Sequence, residues 1–110
     1  MFVCQWHFDV PFGKQKDVLD IMSKWNQEMF KDNATFQQTD HRTMVGHIGA
    51  SASHIIDEVV VGSMADWEAG MNVVATGKYK DFSEQMAKYI VPGSQHWVVY
   101  RVAEAANGKR

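Results

Sequence analysis

The chain has 110 residues, of which 45% are hydrophobic and 22% are charged, and its formal net charge is −2. This length suits one domain with a single core, and the composition excludes an intrinsically disordered chain. The slightly acidic balance, with its basic residues scattered, also argues against a nucleic-acid binder, which usually carries a basic stripe.

The sequence does not indicate a membrane protein or a secreted protein either. Cys4 is the only cysteine, so no intrachain disulfide can form. No apolar run approaches the roughly 18 residues that cross a membrane. The first ten residues alternate between polar and apolar, unlike a signal peptide. We therefore expect a soluble, cytoplasmic protein that does not act in a membrane.

The first half of the chain predicts a strand followed by a helix. Residues 2–9 alternate strictly, which is typical of a half-buried strand. From about Lys14 to Lys31 the apolar residues recur every three or four positions, as on one face of a helix. That stripe consists of Val18, Met22, Trp25 and Met29.

The second half predicts a hairpin, a helical region and a last strand. Residues 41–49 and 54–61 are two strand patterns joined by the small residues ASAS. Ser63 is the expected N-cap of a helix that runs to about residue 75, and Thr76–Gly77 separates it from a second helical piece at 80–90. Pro92–Gly93 turns into a final strand at 95–102. We expect a single domain over residues 1–103 and a frayed tail over residues 104–110.

This order predicts the fold class. A strand–helix–strand–strand–helix–strand chain closes into an α+β, ferredoxin-like βαββαβ domain, with a four-stranded antiparallel sheet and its helices on one face. The first and third strands should be central.

The sheet face without helices has a mixed composition. If the apolar side of the first strand lies under the helices, the other side mixes apolar with charged residues. The expected members are Val3, Gln5, His7, Asp9, His54, Ile56, Glu58, Val60, Trp97, Val99 and Arg101. A second copy packed sheet to sheet would bury the apolar members, so we expect a homodimer. A monomer with a partly exposed sheet is the alternative.

The segments VVVGSMADWEAGM and WVVYRV, within a short βαββαβ chain, resemble the dimeric α/β-barrel superfamily. The resemblance implies a homodimer whose two sheets form a barrel. Members include cofactor-free monooxygenases of aromatic polyketides, polyketide cyclases, haem-degrading enzymes and stress-responsive proteins. The superfamily shares no single catalytic motif, so no site residue can be carried over from it.

Two adjacent acids on the third strand must point to opposite faces. Asp57 has the parity of the apolar set Ile55, Val59 and Val61, which places it under the helices, and Glu58 then faces the second copy. If Ile48 pairs with Ile56, His47 lies directly opposite Asp57. A carboxylate orients an imidazole as a general base. If the register of the two strands were shifted by one residue, His47 would lie on the other face of the sheet.

The residues around this pair predict an amphipathic pocket. Trp6, Met22, Trp25 and Met29 would form its walls, with His96 and Tyr100 from the last strand near the polar end. Two simpler interpretations stay open: Trp and Met at helical spacing also describe a filled core, and a His–Asp pair can be purely structural.

Two functions follow from the pocket. The first is a homodimer that binds an aromatic or long-chain carboxylate ligand. The alternative is a cofactor-independent monooxygenase or cyclase, with His47 as base, Asp57 orienting it, and Tyr100 or His96 donating to an oxyanion. We expect no cofactor. The five histidines lack metal-ligand spacing, so we expect no metal site.

Overall fold

The computed structural model describes residues 1–32 and 41–104. Its strands are β1 (Phe2–Asp9), β2 (His41–Val45), β3 (His54–Val61) and β4 (His96–Arg101). Its helices are α1 (Gln15–Asp32), α2 (Met64–Val74) and α3 (Lys78–Ala87). The expected element order is confirmed within this part of the chain. The tail predicted to fray falls outside it from residue 105 onward.

The four strands form one antiparallel sheet in the order β2-β3-β1-β4, so β1 and β3 are central as predicted. The core lies between one face of this sheet and the helices. It is formed by the fully buried Cys4, Phe8 and Ile55 from the strands, with Val18 from α1 and Met86 from α3. This is the ferredoxin-like arrangement.

Local sequence signals determine where the helices of the second half of the chain begin and end. Ser63 caps α2, because its hydroxyl oxygen accepts a hydrogen bond from the backbone N–H of Asp66 at 3.2 Å. Gly77, with a φ of 57°, separates α2 from α3 in the left-handed region that favours glycine. Both features agree with the predicted cap and interruption.

Pairing across the sheet assigns each side chain to a face. Trp6 lies opposite Asp57, and Gln5 lies opposite Glu58, which confirms that Asp57 faces the helices and Glu58 the helix-free side. Among the helices of the described ranges, none combines the length and apolarity needed to cross a membrane.

The predicted orientation of β4 is wrong. Trp97 lies opposite Trp6 and therefore faces the helices, whereas His96 lies opposite His7 and Tyr100 opposite Val3 on the helix-free side. Because β4 alternates aromatic and valine residues on both faces, its own pattern carries little parity information. The pairing with β1 decides it.

Candidate functional site

A cavity of about 200 Å³ lies between the helices and the sheet. The chain contains four tryptophans, and all four line this cavity. Its walls come from every strand and every helix in the described part of the chain. The lining residues are Trp6, Met22, Trp25, Asn26, Met29, Phe30, His41, Asp57, Val59, Trp67, Met71, Val74, Ser83, Gln95 and Trp97.

The tryptophans form a continuous chain of ring contacts. Trp25 meets Trp6 edge-on at a centroid distance of 6.3 Å, and Trp6 stacks on Trp97 at 6.2 Å. Trp97 then meets Trp67 edge-on at 5.4 Å. Aromatic pairs at these distances and angles are mutually stabilising. The cavity wall is therefore a connected aromatic surface.

The helical stripe of α1 serves as both core and cavity wall. Met22, Trp25 and Met29 are buried and also line the cavity. Trp6 joins them from β1. The structure thus brings together the four residues predicted to form the pocket walls, and these residues belong to the packed core and line the cavity at the same time.

The polar group on the β2 side of the cavity is an His41–Asp57 pair. His41 Nε2 donates to Asp57 Oδ1 at 2.6 Å, and the side chains are 10% and 23% exposed. The hydroxyl of Thr43 donates to the same Oδ1 at 3.3 Å. The ring of Phe30 lies edge-on to the imidazole at 5.1 Å. These contacts hold the imidazole in one orientation at the cavity edge.

The predicted pairing of His47 with Asp57 is wrong. Thr43 lies opposite Asp57 and Met44 opposite Ile56, so β2 is displaced by four residues from the expected register. Because four is an even number, the faces are preserved, and His41 occupies the side of β2 on which His47 was expected. His47 itself lies beyond the end of β2 and is exposed.

Gly46 explains why β2 ends early. A Cβ at this position would lie only 1.8 Å from the carbonyl oxygen of Ser51, so only glycine fits where the two ends of the connection approach each other. The glycine inside the predicted strand was the sequence signal for this ending. His41 could have been identified by moving the register to respect it.

His96 and Tyr100 do not belong to this cavity. Both face the helix-free side of β4, opposite His7 and Val3. Sequence reasoning placed them in the pocket and missed Trp67 and Trp97, which do line it.

Trp67 adds an unsatisfied donor. Its indole N–H is buried and has no hydrogen-bond partner in the described part of the chain. By contrast, the indole N–H of Trp6 donates to Gln95 Oε1 at 3.0 Å. A buried donor without a partner costs about 1–3 kcal/mol.

The helix-free face carries a second acid, Glu58, which is 5% exposed. Arg42 Nε donates to its Oε2, and Gln5 Nε2 donates to its Oε1 at 2.9 Å. Burial by itself raises the pKa of Glu58, but the hydrogen bonds from Arg42 and Gln5 outweigh it and hold the pKa below its ordinary value. Glu58 is therefore ionised at neutral pH.

No family model matches the chain, and no curated protein matches its sequence. Solved structures do match its fold. A NIPSNAP family protein of unknown function from Agrobacterium tumefaciens is 14% identical with a TM-score of 0.77, over 99% of this chain and 94% of that one. A protein from Nitrosomonas europaea described as an antibiotic biosynthesis monooxygenase is 12% identical with a TM-score of 0.68, over 94% and 99%.

SnoaB, a cofactor-independent oxygenase from Streptomyces nogalater, is 7% identical with a TM-score of 0.71, over 96% of this chain and 95% of that one. These neighbours have the ferredoxin-like fold of the dimeric α/β-barrel superfamily. The resemblance inferred from the sequence is therefore confirmed at the level of the fold.

Proposed function

We propose that this protein is a homodimer that binds a small amphipathic ligand, either aromatic or a long-chain carboxylate, in the tryptophan-lined cavity. The observation that carries the proposal is the His41–Asp57 pair at the edge of a cavity whose wall is formed mainly by aromatic and Met side chains. His41 and Asp57 lie on the β2 side, and the ring of Trp67 contacts Trp97 of β4. Apolar walls with a few placed polar groups are typical of small-molecule sites.

The geometry limits the ligand. β2 and β4 are the two edge strands, separated by three strand intervals of about 4.8 Å each. A planar molecule would place its rings against the tryptophans and a polar group near His41. The cavity is smaller than the roughly 300–1,000 Å³ of drug-sized sites. It would take a compact ligand or the buried part of a longer one.

Open grooves continue the cavity on both sides. Asn26, Phe30 and His41 also line a groove beside β2, and Ser83 and Gln95 also line one beside α3. A long acyl chain could extend into either groove. This supports the long-chain carboxylate as well as the aromatic ligand.

The homodimer is supported by the composition of the helix-free face. Tyr100, Val98 and Val3 lie there beside the Arg42–Glu58 pair. Tyr100 is 56% exposed in the single chain. A second copy would cover these apolar side chains. Sedimentation equilibrium tests this part, and a chain that sediments as a single protomer would contradict it.

A second candidate function is a cofactor-independent oxygenase or cyclase. The specific observation in its favour is the short His41–Asp57 hydrogen bond at the cavity edge, together with the structural similarity to SnoaB. Asp57 would hold Nε2, which leaves Nδ1 of His41 to take a proton from a carbon conjugated with a carbonyl, as the C10 methylene of anthrone is through its aromatic rings. With anthrone as substrate, molecular oxygen would then give anthraquinone and water.

Tryptophan fluorescence tests ligand binding, because all four tryptophans line the cavity. We expect dodecanoic acid or anthrone to change the emission. His41→Gln should weaken binding about tenfold, equivalent to about 1.4 kcal/mol. Trp67→Phe, which reduces the aromatic wall of the cavity, should also weaken it. His47→Gln is the matched control and should leave binding unchanged. Equal affinities for the His41 and His47 variants would contradict the assigned anchor.

Oxygen uptake with anthrone separates the two functions. An enzyme would consume oxygen at a rate that falls at least about 100-fold in His41→Gln, as expected for loss of a general base. A carrier would bind the probe without oxygen uptake above that of the buffer. Failure of both probes to bind would contradict the amphipathic site itself.

A further inference from the structure

A row of polar side chains crosses the helix-free face of the sheet, on the side away from the cavity. Asp9 Oδ1 lies 2.8 Å from His54 Nδ1, and His54 Nε2 lies 2.9 Å from His7 Nδ1. His7 Nε2 lies 2.8 Å from Gln5 Oε1, and Gln5 Nε2 lies 2.9 Å from Glu58 Oε1. All five side chains belong to the central strands β1 and β3.

The donors and acceptors can be assigned from the Glu58 end. Glu58 is ionised and can only accept, so the amide nitrogen of Gln5 must face it. The amide oxygen of Gln5 then faces His7 Nε2. An amide oxygen only accepts, so His7 Nε2 must carry a proton.

The other end of the row gives the same kind of constraint. The carboxylate of Asp9 accepts from His54, so His54 Nδ1 must carry a proton. If both rings were neutral, each would already have placed its single proton. His7 Nδ1 and His54 Nε2 would then be two lone pairs facing each other at 2.9 Å. Such a contact is repulsive.

We propose that the His7–His54 pair binds one further proton, carried on His54 Nε2 and donated to His7 Nδ1. His54 is then an imidazolium with Asp9 as its counter-charge, and His7 is a neutral imidazole. Every hydrogen bond in the row then has one donor and one acceptor. The helix-free face thereby holds a fixed positive charge at neutral pH. The site is separate from the cavity and does not depend on the proposed ligand.

The surroundings favour His54 as the charged ring. Asp9 contacts His54 directly, whereas His96 stacks on His7 with a centroid distance of 4.8 Å. Burial lowers the pKa of His7, and the neighbouring His96 and His54 lower it further. The remaining charged groups on this face, Glu58 and Arg42, pair with each other beyond Gln5.

A metal ion fits this geometry less well than a proton. Imidazole nitrogens lie about 2.0–2.1 Å from zinc, so two of them on a tetrahedral ion are about 3.3 Å apart. His7 Nδ1 and His54 Nε2 are closer, at 2.9 Å. In the described ranges no third His, Cys, Asp or Glu completes a metal-binding group. His96 Nδ1 instead lies 3.3 Å from the carbonyl oxygen of Ser94.

The proton makes this face responsive to pH in both directions. Loss of the proton at alkaline pH would leave two acceptors in contact. A second proton at acidic pH would place two imidazolium rings side by side. We therefore expect a stability maximum between these limits, with the acidic decline beginning below the ordinary imidazole pKa of about 6.5.

The test is nitrogen NMR of protein labelled with nitrogen-15 histidine, at neutral pH and with EDTA present. We expect both ring nitrogens of His54 to be protonated and His7 to be neutral with its proton on Nε2. Two neutral rings would overturn the proposal. One metal ion per chain in the protein as purified, measured before EDTA is added, would also overturn it. The wild-type spectrum suffices for this decision, whatever the oligomeric state.

Two variants provide the matched comparison. His7→Phe removes the acceptor, and the doubly protonated fraction of His54 at neutral pH should fall. His96→Phe removes an imidazole of the same face that has no hydrogen bond to the pair, so His54 should remain doubly protonated. Equal effects of the two substitutions would contradict the shared proton.

Discussion

Asp57 and Glu58 are neighbours on β3, yet the two faces of the sheet treat them differently. Asp57 lies beneath the helices and its side chain is 23% exposed, whereas Glu58 lies on the face without helices and its side chain is only 6% exposed. The cavity under the helices leaves space beside Asp57. On the other face, Arg42 and Gln5 enclose Glu58. Local side-chain packing, more than the covering layer, decides which acid is buried.

The two faces of the sheet therefore differ in structure and in their expected contribution to stability. The helix-covered face contains a packed region around Phe8 and Ile55 and an open region around the tryptophans. The helix-free face carries a hydrogen-bonded row of polar side chains beside apolar ones such as Val3 and Tyr100. We expect stability to depend most on the packed region, then on the buried Glu58, and least on exposed residues of the helix-free face.

The largest effect should come from Phe8→Ala. Phe8 is fully buried on the helix-covered face, so the substitution should reduce the free energy of unfolding by about 3–5 kcal/mol. Val3→Ala, on the same strand but on the other face, should cost much less. Urea unfolding measures both. Similar losses would show that the two faces contribute equally and would remove the contrast.

The Arg42–Glu58 pair should give an intermediate effect. Arg42→Ala leaves a buried carboxylate with one fewer donor, which should cost about 1–2 kcal/mol, because the Arg42 side chain is 65% exposed and water replaces part of the contact. The double variant with Glu58→Gln should recover part of this loss. Urea midpoints at neutral pH measure both changes.

The Arg42–Glu58 pair should also make the free energy of unfolding fall at acidic pH. The pKa of Glu58 is lower in the folded protein than its ordinary value of 4.5, so the unfolded chain takes up the proton first as the pH falls. The stabilisation is complete above about 4.5 and is lost as the pH falls through the folded pKa. Glu58→Gln should flatten this decline. An unchanged decline would show that other carboxylates cause it.

The smallest effect should come from Tyr100→Phe. Tyr100 is exposed on the helix-free face, so the substitution should change the free energy of unfolding by no more than about 0.5 kcal/mol and leave probe fluorescence unchanged. Trp97→Phe, three positions earlier but on the cavity side, should weaken probe binding. A loss of binding in the Tyr100 variant would contradict the observed orientation of β4.

β1 and β4 differ in how well their sequence patterns predict the faces on which their side chains lie. β1 alternates four apolar residues with a set that is polar except for Val3, and its faces followed from that pattern. β4 has aromatic or aliphatic residues at both parities, so its orientation needed a neighbouring strand. The prediction for β4 was wrong because an edge strand without a polar face carries no independent parity signal.

The residues of the candidate site also differ in whether the sequence predicted them. Met22, Trp25 and Met29 could be assigned from helical spacing, and Asp57 from strand parity. The histidine that contacts Asp57 was missed, because the register of β2 depends on where the chain turns, and Gly46, which marks that point, had been taken as part of the strand. Gly46 ends the strand, since Ser51 approaches too closely for any side chain there.

The amino-acid sequence by itself determined the element order, the ferredoxin-like fold and the helix-facing side of β1 and β3, because periodicities of two and of about 3.6 are local properties of the chain. Tertiary structure alone decided that His41 meets Asp57, that Trp97 faces the cavity, and that His7 meets His54. Those contacts join residues far apart in sequence, and their geometry depends on register, which no local pattern specifies.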